Sequence, residues 1–344
     1  MSVTLYVDGD RWRGHLRRVL EAHPSLVPVI KGNGYGFGNA RLARKSAWLG
    51  VDTVAVGTYA EVEDVRTRFD GTILVLTPWR PFEERVEYDD RIVHTVGRLE
   101  DLHALAARDD RPRVVLELMT SMRRHGFTAR GLREVAPHTG SLRVEGVALH
   151  LPMAHGSHLP EMERLMTDVV AAGLPTSRVW VSHLTDAELS TLAATYPDFE
   201  LRPRVGTNLW LGDRGALAVR ATVLDAHPVE RGDVFGYRAR SAPKAGTILV
   251  VSGGTAHGIG LEAPSAVEGL RQRAVTLAKG GLEASGFVRS PFTIGGKQRL
   301  FAEPPHMQAS MLFLPHGAPV PEVGAEVDVR VRFTTTTFDR TVVS

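Results

Sequence analysis

Eight short apolar runs set the tightest limit on what this 344-residue chain can fold into. They are VPVIK (27–31), TVAV (53–56), TILVL (72–76), IVHTV (92–96), RVVLEL (113–118), VEGVALH (144–150), VWVSH (179–183) and ELRPRV (200–205). Runs this short and this rich in β-branched residues read as strands. Between them apolar residues recur at helical spacing, as at Leu42, Ala47 and Trp48, or at Leu165, Val169 and Val170. Strand and helix alternating eight times over roughly 200 residues predict a closed (β/α)8 barrel.

After about residue 222 the pattern changes. GTILVVSG, AVTLA, ASMLFLP and EVDVRVRF are short strand candidates separated by Gly- and Pro-rich turns, with little helical periodicity. The expected organisation is α/β: a barrel over 8–222, opening on a helix at about 9–21, and an all-β domain over 223–344. The N-terminal strand SVTLYV (2–7) is expected to join the second domain.

Composition narrows the function classes. A formal net charge of +2 without a block of like charge argues against nucleic-acid or membrane partners. No apolar run approaches ~18 residues, and the N-terminus lacks a secretory pattern. With no cysteine there is no disulfide, thiolate metal site or cysteine nucleophile. A soluble cytoplasmic protein is expected. His150, His155 and His158 lie close in sequence, but read as a polar loop rather than a metal site. No hydrolase elbow, H-E-x-x-H or EF-hand pattern is present.

Of five lysines, only Lys31 ends an apolar strand candidate. Strand C-termini of a (β/α)8 barrel face its active site. A partly desolvated lysine there loses its proton readily and attacks carbonyls to form a Schiff base. The glycines of GNGYGFG follow it at every second position. They fit neither a dinucleotide fingerprint nor a P-loop, but they let backbone approach a bulky ligand.

VIKGNGYGFG resembles the pyridoxal-phosphate lysine motif of alanine racemases and their fold-type III relatives, which also join a (β/α)8 barrel to a β domain. The resemblance extends along the chain. It implies that Lys31 holds pyridoxal 5′-phosphate and serves as one proton-transferring base, and that Tyr35 reaches the cofactor phosphate. LELMTSMRRHGF (116–127) resembles K-V-D-T-G-M-x-R-x-G-F, so Arg124 would meet the phenolic oxygen or the substrate carboxylate. Glu117 would stand where many relatives carry a carbamylated lysine, supplying a permanent carboxylate or pairing with a structural arginine. VALHLPM resembles the T-H-F-A strand and places His150 near the ring. VSHLTDAELS resembles H-x-A-N-S-A and places His183, with Thr185 standing in for the missing phosphate-binding serine. RPRVGTNLWLG resembles R-x-G-I-x-L-Y-G: Arg204 would face the pyridine nitrogen, and Gly206 and Thr207 would offer N–H groups to the phosphate. An always-charged arginine disfavours protonation of that nitrogen, which suits racemisation better than transamination.

The match breaks in the second domain. The family's second base is a tyrosine in G-Y-x-D-G, given across a head-to-tail homodimer interface. SGGTAHGIG has Thr255 in that place, and His257 is the nearby group best tuned for proton transfer. Tyr237, in GDVFGYRAR, falls near the site or in packing. PPHMQASMLFL puts Met307 where a methionine backbone meets the substrate carboxylate. The sequence ends at FDRTVVS, short of a further phosphate-binding tyrosine of the family. The resemblance thus implies an isomerase, an amino-acid racemase or epimerase acting on a small amino-acid substrate. Two alternatives stay open: single-base chemistry such as decarboxylation or elimination on an unusual amino acid, and a non-catalytic descendant that binds the cofactor or a partner protein.

Overall fold

The computed structural model describes residues 2–82, 89–153, 156–261 and 288–344. The chain divides into two compact units, Arg13–Gly212 and Met1–Trp12 with Asp213–Ser344. His155 and the strand expected at AVTLA (274–278) lie outside the described residues.

After β1 (Val3–Val7) and α1 (Gly9–Ala22), eight parallel strands close the barrel: β2 (Val27–Ile30), β3 (Thr53–Val56), β4 (Thr72–Val75), β5 (Ile92–Val96), β6 (Arg113–Leu118), β7 (Arg143–His150), β8 (Arg178–Ser182) and β9 (Glu200–Val205). The ring closes where β9 pairs with β2, Arg204 opposite Val27 and Val205 opposite Pro28. Helices α2 (Asn39–Leu49), α3 (Val62–Arg66), α4 (Leu99–Ala106), α5 (Ala129–Val135), α6 (Leu159–Ala172), α7 (Asp186–Thr195) and α8 (Thr207–Leu211) fall between or after the strands. The predicted (β/α)8 barrel is therefore present, with each strand within a residue or so of its apolar run.

Parity explains what fills it. Side chains of a strand alternate between faces. Val27, Val29, Ala55, Leu74, Val93, Val115, Ala148 and Trp180 point inward as one cluster. The outward set, including Leu116, Val147, Leu149 and Val181, packs beneath the helices with Leu132, Met162, Leu165 and Met166. Each buried aliphatic side chain of this kind contributes about 1.5–3 kcal/mol before entropy is counted. Trp180 plugs the interior, its indole N–H donating to the Glu145 carbonyl at 3.3 Å.

The other unit is built on a sheet of order β13-β16-β15-β14-β17-β10-β1-β18. Its strands are β10 (Leu217–Val229), β13 (Gly246–Ser252), β14 (Arg289–Ile294), β15 (Lys297–Phe301), β16 (Ala309–Pro315), β17 (Glu326–Val329) and β18 (Arg340–Val343); β11 (Val234–Phe235) and β12 (Arg240–Ser241) form a separate small hairpin. β10 also pairs with β13, closing six strands into a ring. β1 lies antiparallel to β10 and parallel to β18. The composition shift read at residue 222 marks the middle of β10, not its start, because that strand already alternates buried and exposed residues from Leu217. Among the described residues no helix is long and apolar enough to cross a membrane.

A candidate active site at the barrel mouth

The parity that fills the barrel also furnishes its C-terminal rim. Two residues beyond the inward Val29, Val115, Ala148 and Trp180 stand Lys31, Glu117, His150 and Ser182, and Arg204 lies two beyond Arg202. Arg202 itself sits over the Trp180 ring, 4.9 Å from its centroid. Lys31, His150, His183, Glu117, Arg124 and Arg204 act on one another's charge, so the rim is one electrostatic unit.

Lys31 opens the loop expected to cradle a ligand. Gly32, Gly34, Gly36 and Gly38 all adopt left-handed φ, and Tyr35 between them does so too at φ 53°, a strained choice for a bulky residue. The turn drives Tyr35 inward, where burial and then Glu61 push its phenol up to about 12. It is therefore a hydrogen-bond donor at neutral pH. Its hydroxyl lies against Gly206, where any Cβ would collide with it. Desolvation, then the Arg124 charge, hold the Lys31 amine below its ordinary value, with Arg204 adding to this and Glu61 opposing it.

Glu61 was invisible to the motif reading. Its carboxylate accepts from the backbone N–H of Gly32 and of Gly57 at 2.6 Å each, and from Thr58 at 3.1 Å. It thereby ties the residue after Lys31 to the end of β3. The capping pattern T-Y-A-E (58–61) was the available signal. Charge-assisted bonds of this kind contribute about 1.5–3 kcal/mol each. Glu61→Gln is expected to lower the melting temperature and the Lys31 pKa together, read by thermal denaturation and by the pH dependence of amine modification.

Arg204 is buried on β9. One guanidinium nitrogen donates to the Leu149 carbonyl at 3.0 Å, and its Nε has no partner among the described residues. Burial pulls its pKa down to about 10, against Glu117 and with Arg124. Glu117 is also buried, and its Oε2 is likewise unpartnered. Burial raises its pKa while Arg204, Arg124 and Arg80 oppose that. Arg124 is exposed on the return loop after β6, which is pinned where Phe127 N–H donates to Glu117 C=O at 2.8 Å and Met119 N–H to Phe127 C=O at 2.8 Å.

The two rim histidines stand 5.2 Å apart, centroid to centroid. His150 bonds Ser182 Oγ through Nδ1 at 2.9 Å, and burial followed by the Arg204 and Arg124 charges pulls it down to about 3. His183, at φ 62°, donates from Nδ1 to the Leu151 carbonyl at 2.7 Å; its pKa is lowered chiefly by burial. Both are neutral imidazoles at physiological pH.

Thr185 is tied into the helix it begins. It is the N-cap of α7: its hydroxyl accepts from Glu188 N–H at 3.3 Å and donates to a Glu188 carboxylate oxygen at 2.9 Å. The same carboxylate takes His158 N–H at 2.6 Å and Ser157 Oγ at 2.8 Å. Burial pushes Glu188 up, but these donors outweigh it and hold the group at about 2. A depressed folded pKa gives stability that is complete above the ordinary 4.5 and is lost as pH falls through about 2. Glu188→Gln is expected to melt lower at neutral pH, with the gap to wild type closing over that acid window. Gly206 and Thr207 begin α8, whose Trp210 N–H donates to Gly206 C=O at 3.0 Å.

In the β unit His257 is buried rather than exposed on its turn. Gly254 N–H donates to its Nδ1 at 3.3 Å, so Nε2 carries the proton toward Asp339 at 3.2 Å. Both ring nitrogens are thus engaged. Met307 and Tyr237 are exposed. Among the described residues no group of three or more His, Asp or Glu is arranged to hold a metal ion.

A family model described as the alanine racemase N-terminal domain matches residues 7–195, more than half of the chain. The chain belongs to the alanine racemase family. Curated relatives include alanine racemases of Nitratidesulfovibrio vulgaris, 25% identical over 71% of this chain and 73% of that one, and of Desulforamulus reducens, 30% identical over 40% of each. Among solved structures, an alanine racemase from Bartonella henselae with covalently bound pyridoxal phosphate matches with TM-score 0.74 at 16% identity over the whole of both chains. One from Streptomyces lavendulae matches with TM-score 0.70 at 20% identity, over 100% and 97%. Barrel and β unit are the fold those racemases share.

Proposed function

We propose that the barrel mouth holds pyridoxal 5′-phosphate on Lys31 and that the protein inverts the α-carbon of an amino acid, as a cytoplasmic head-to-tail homodimer. The observation that carries the reading is the Lys31 amine itself. It stands at the C-terminal end of β2 with its pKa lowered, among two arginine charges and two neutral imidazoles. Of the carboxylates among these groups, Glu61 acts on Lys31 but is committed to backbone N–H groups, and Glu117, beside Arg204 and Arg124, has its pKa raised by burial. Such a rim favours an anionic ligand bearing a carbonyl. The unpartnered Arg204 Nε and the Tyr35 hydroxyl packed on Gly206 fit a phosphorylated aromatic ring.

Bound pyridoxal phosphate supplies the electron sink that acidifies the substrate Cα–H. The chain's own groups do the rest. Lys31 attaches the cofactor and moves a proton at one face of Cα. Tyr35 and the N–H groups of Gly206 and Thr207 would hold the phosphate, Arg204 would hold the ring nitrogen unprotonated, and His150 and His183 would line the site as uncharged groups. Arg124 receives the substrate carboxylate or the phenolic oxygen, steadied by Glu117, and Met307 of a second copy closes over that carboxylate. Thr185, fully used as a cap, drops out of the phosphate set.

The test is to incubate cofactor-loaded protein in deuterium oxide with both enantiomers of alanine, serine, glutamate, lysine and arginine. Cα deuteration with inversion supports the reading; loss of carboxylate or side chain without inversion moves it to the single-base alternative, which the engaged nitrogens of His257 favour. No exchange with any of them overturns both.

A further inference from the structure

Inversion through proton transfer needs a donor on each face of Cα. On the barrel rim Lys31 serves one face. His150, pulled down to about 3, is too weak a base for the other, and His183 Nδ1 is spent on Leu151. In the β unit one imidazole is built differently. His306 Nε2 donates to Glu303 Oε1 at 2.6 Å, and Glu303 is only 2% exposed. Tyr237 N–H adds a second bond to the same oxygen at 3.3 Å. Gly236 makes the room: a Cβ there would collide with the Glu303 carboxylate. None of the hydrogen bonds among the described residues engages His306 Nδ1, and the ring is half-buried beneath the exposed Tyr237, 4.6 Å between centroids.

The position of this pair is set by the backbone. Thr255 N–H donates to the His306 carbonyl at 2.8 Å, Ala256 N–H to the Met307 carbonyl at 3.0 Å, and Gly253 N–H to the Gln308 carbonyl at 2.9 Å. Residues 306–308 therefore lie directly on the 253–256 segment. His257, in that segment, is locked by Asp339 and Gly254, whereas His306 keeps one nitrogen free and presents it beside the exposed Met307.

Resting on the two-base reading above, we propose that His306, oriented by Glu303, is the second proton-transferring residue and acts on the barrel site of a second copy of the chain. Nδ1 takes the Cα proton of one enantiomer while the freed electron pair passes into the cofactor; Lys31 returns a proton to the opposite face. The reverse direction exchanges the two roles. No electron or co-reactant is consumed, because both bases re-equilibrate with solvent. Glu303 is a positioning residue that fixes the tautomer with the proton on Nε2.

The experiment compares wild type, H306N and E303Q, each first shown to keep the wild-type melting temperature and the Lys31-dependent visible band. The substrate is the amino acid of the panel above that exchanges in the wild type. The expected result is that H306N loses inversion by about 100- to 10,000-fold. One enantiomer, whose Cα–H faces Lys31, should still exchange its α-proton within a few-fold of wild type. E303Q should show a smaller loss of inversion with the same one-sided exchange. Mixing inactive K31A with inactive H306N should restore roughly a quarter of wild-type inversion, since half of randomly paired dimers carry one intact site of two. Inversion by H306N within a few-fold of wild type overturns the assignment while leaving the racemase reading intact. A wild type that exchanges no α-proton removes the reading on which the assignment rests.

Discussion

Lys31→Ala is expected to abolish the visible absorption band that pyridoxal phosphate gives with the wild-type protein and to reduce α-proton exchange by at least about 10,000-fold. The size of the effect follows from the position. No other lysine of this chain ends a barrel strand, and the lowered pKa of Lys31 comes from desolvation and then from Arg124. The fold should not suffer. Removing a cation from beside Arg124 and Arg204 relieves repulsion, so the melting temperature should hold or rise slightly. The rate of cofactor attachment in the wild type should climb with pH through a pKa below the ordinary lysine value of 10.5, because only the neutral amine attacks. A visible band of wild-type intensity in the variant, or equal exchange, would mean the cofactor is held elsewhere.

Arg204→Gln is expected to have the next largest effect, of a different kind. The visible band should persist, since Lys31 remains. Inversion should fall by about 100- to 1,000-fold, the usual cost of removing a preorganised charged donor from a closed site. Up to about one equivalent of keto acid per site should form beside the inverted amino acid, its amino group staying on the cofactor, because on the proposed reading the charge disfavouring protonation of the ring nitrogen is gone. Glu117 should respond as well: Arg204 is the foremost charge holding its pKa down, so its loss leaves the buried carboxylate closer to neutral. Reaction products are read by chromatography, and Glu117 by its carboxyl infrared band. Unchanged inversion without keto acid would reduce Arg204 to a structural tie between β9 and the Leu149 carbonyl.

Much of the barrel was legible because its information is local. Buried parallel strands must be short apolar runs, and period two then sends Lys31, Glu117, His150 and Arg204 to the same rim once Val29, Val115, Ala148 and Trp180 point inward. The β unit was less legible. β14 and β15 are joined at Gly295–Gly296, both with positive φ. β14, RSPFTI, and β15, KQRLF, are too short and mixed to stand out, and they are strands because β16 and β17 pair with them. Glu61 was missed because its partners, Gly32 and Gly57, are backbone groups that carry no side-chain signature. Thr185 was placed by motif position alone, and the competing partner, Glu188, lies one helical turn on.

The residue alternation alone predicts that eight strands close into a barrel and that the one strand-ending lysine, Lys31, stands at the C-terminal end of the first of them. Protonation and pairing were decided by the tertiary structure alone. Whether a histidine can move a proton depends on which nitrogens are already bonded and how much water its neighbours exclude. His257 is locked between Asp339 and Gly254, whereas His306 is held by Glu303 through one nitrogen only. Those contacts join residues as far as 82 positions apart, and only packing brings them together.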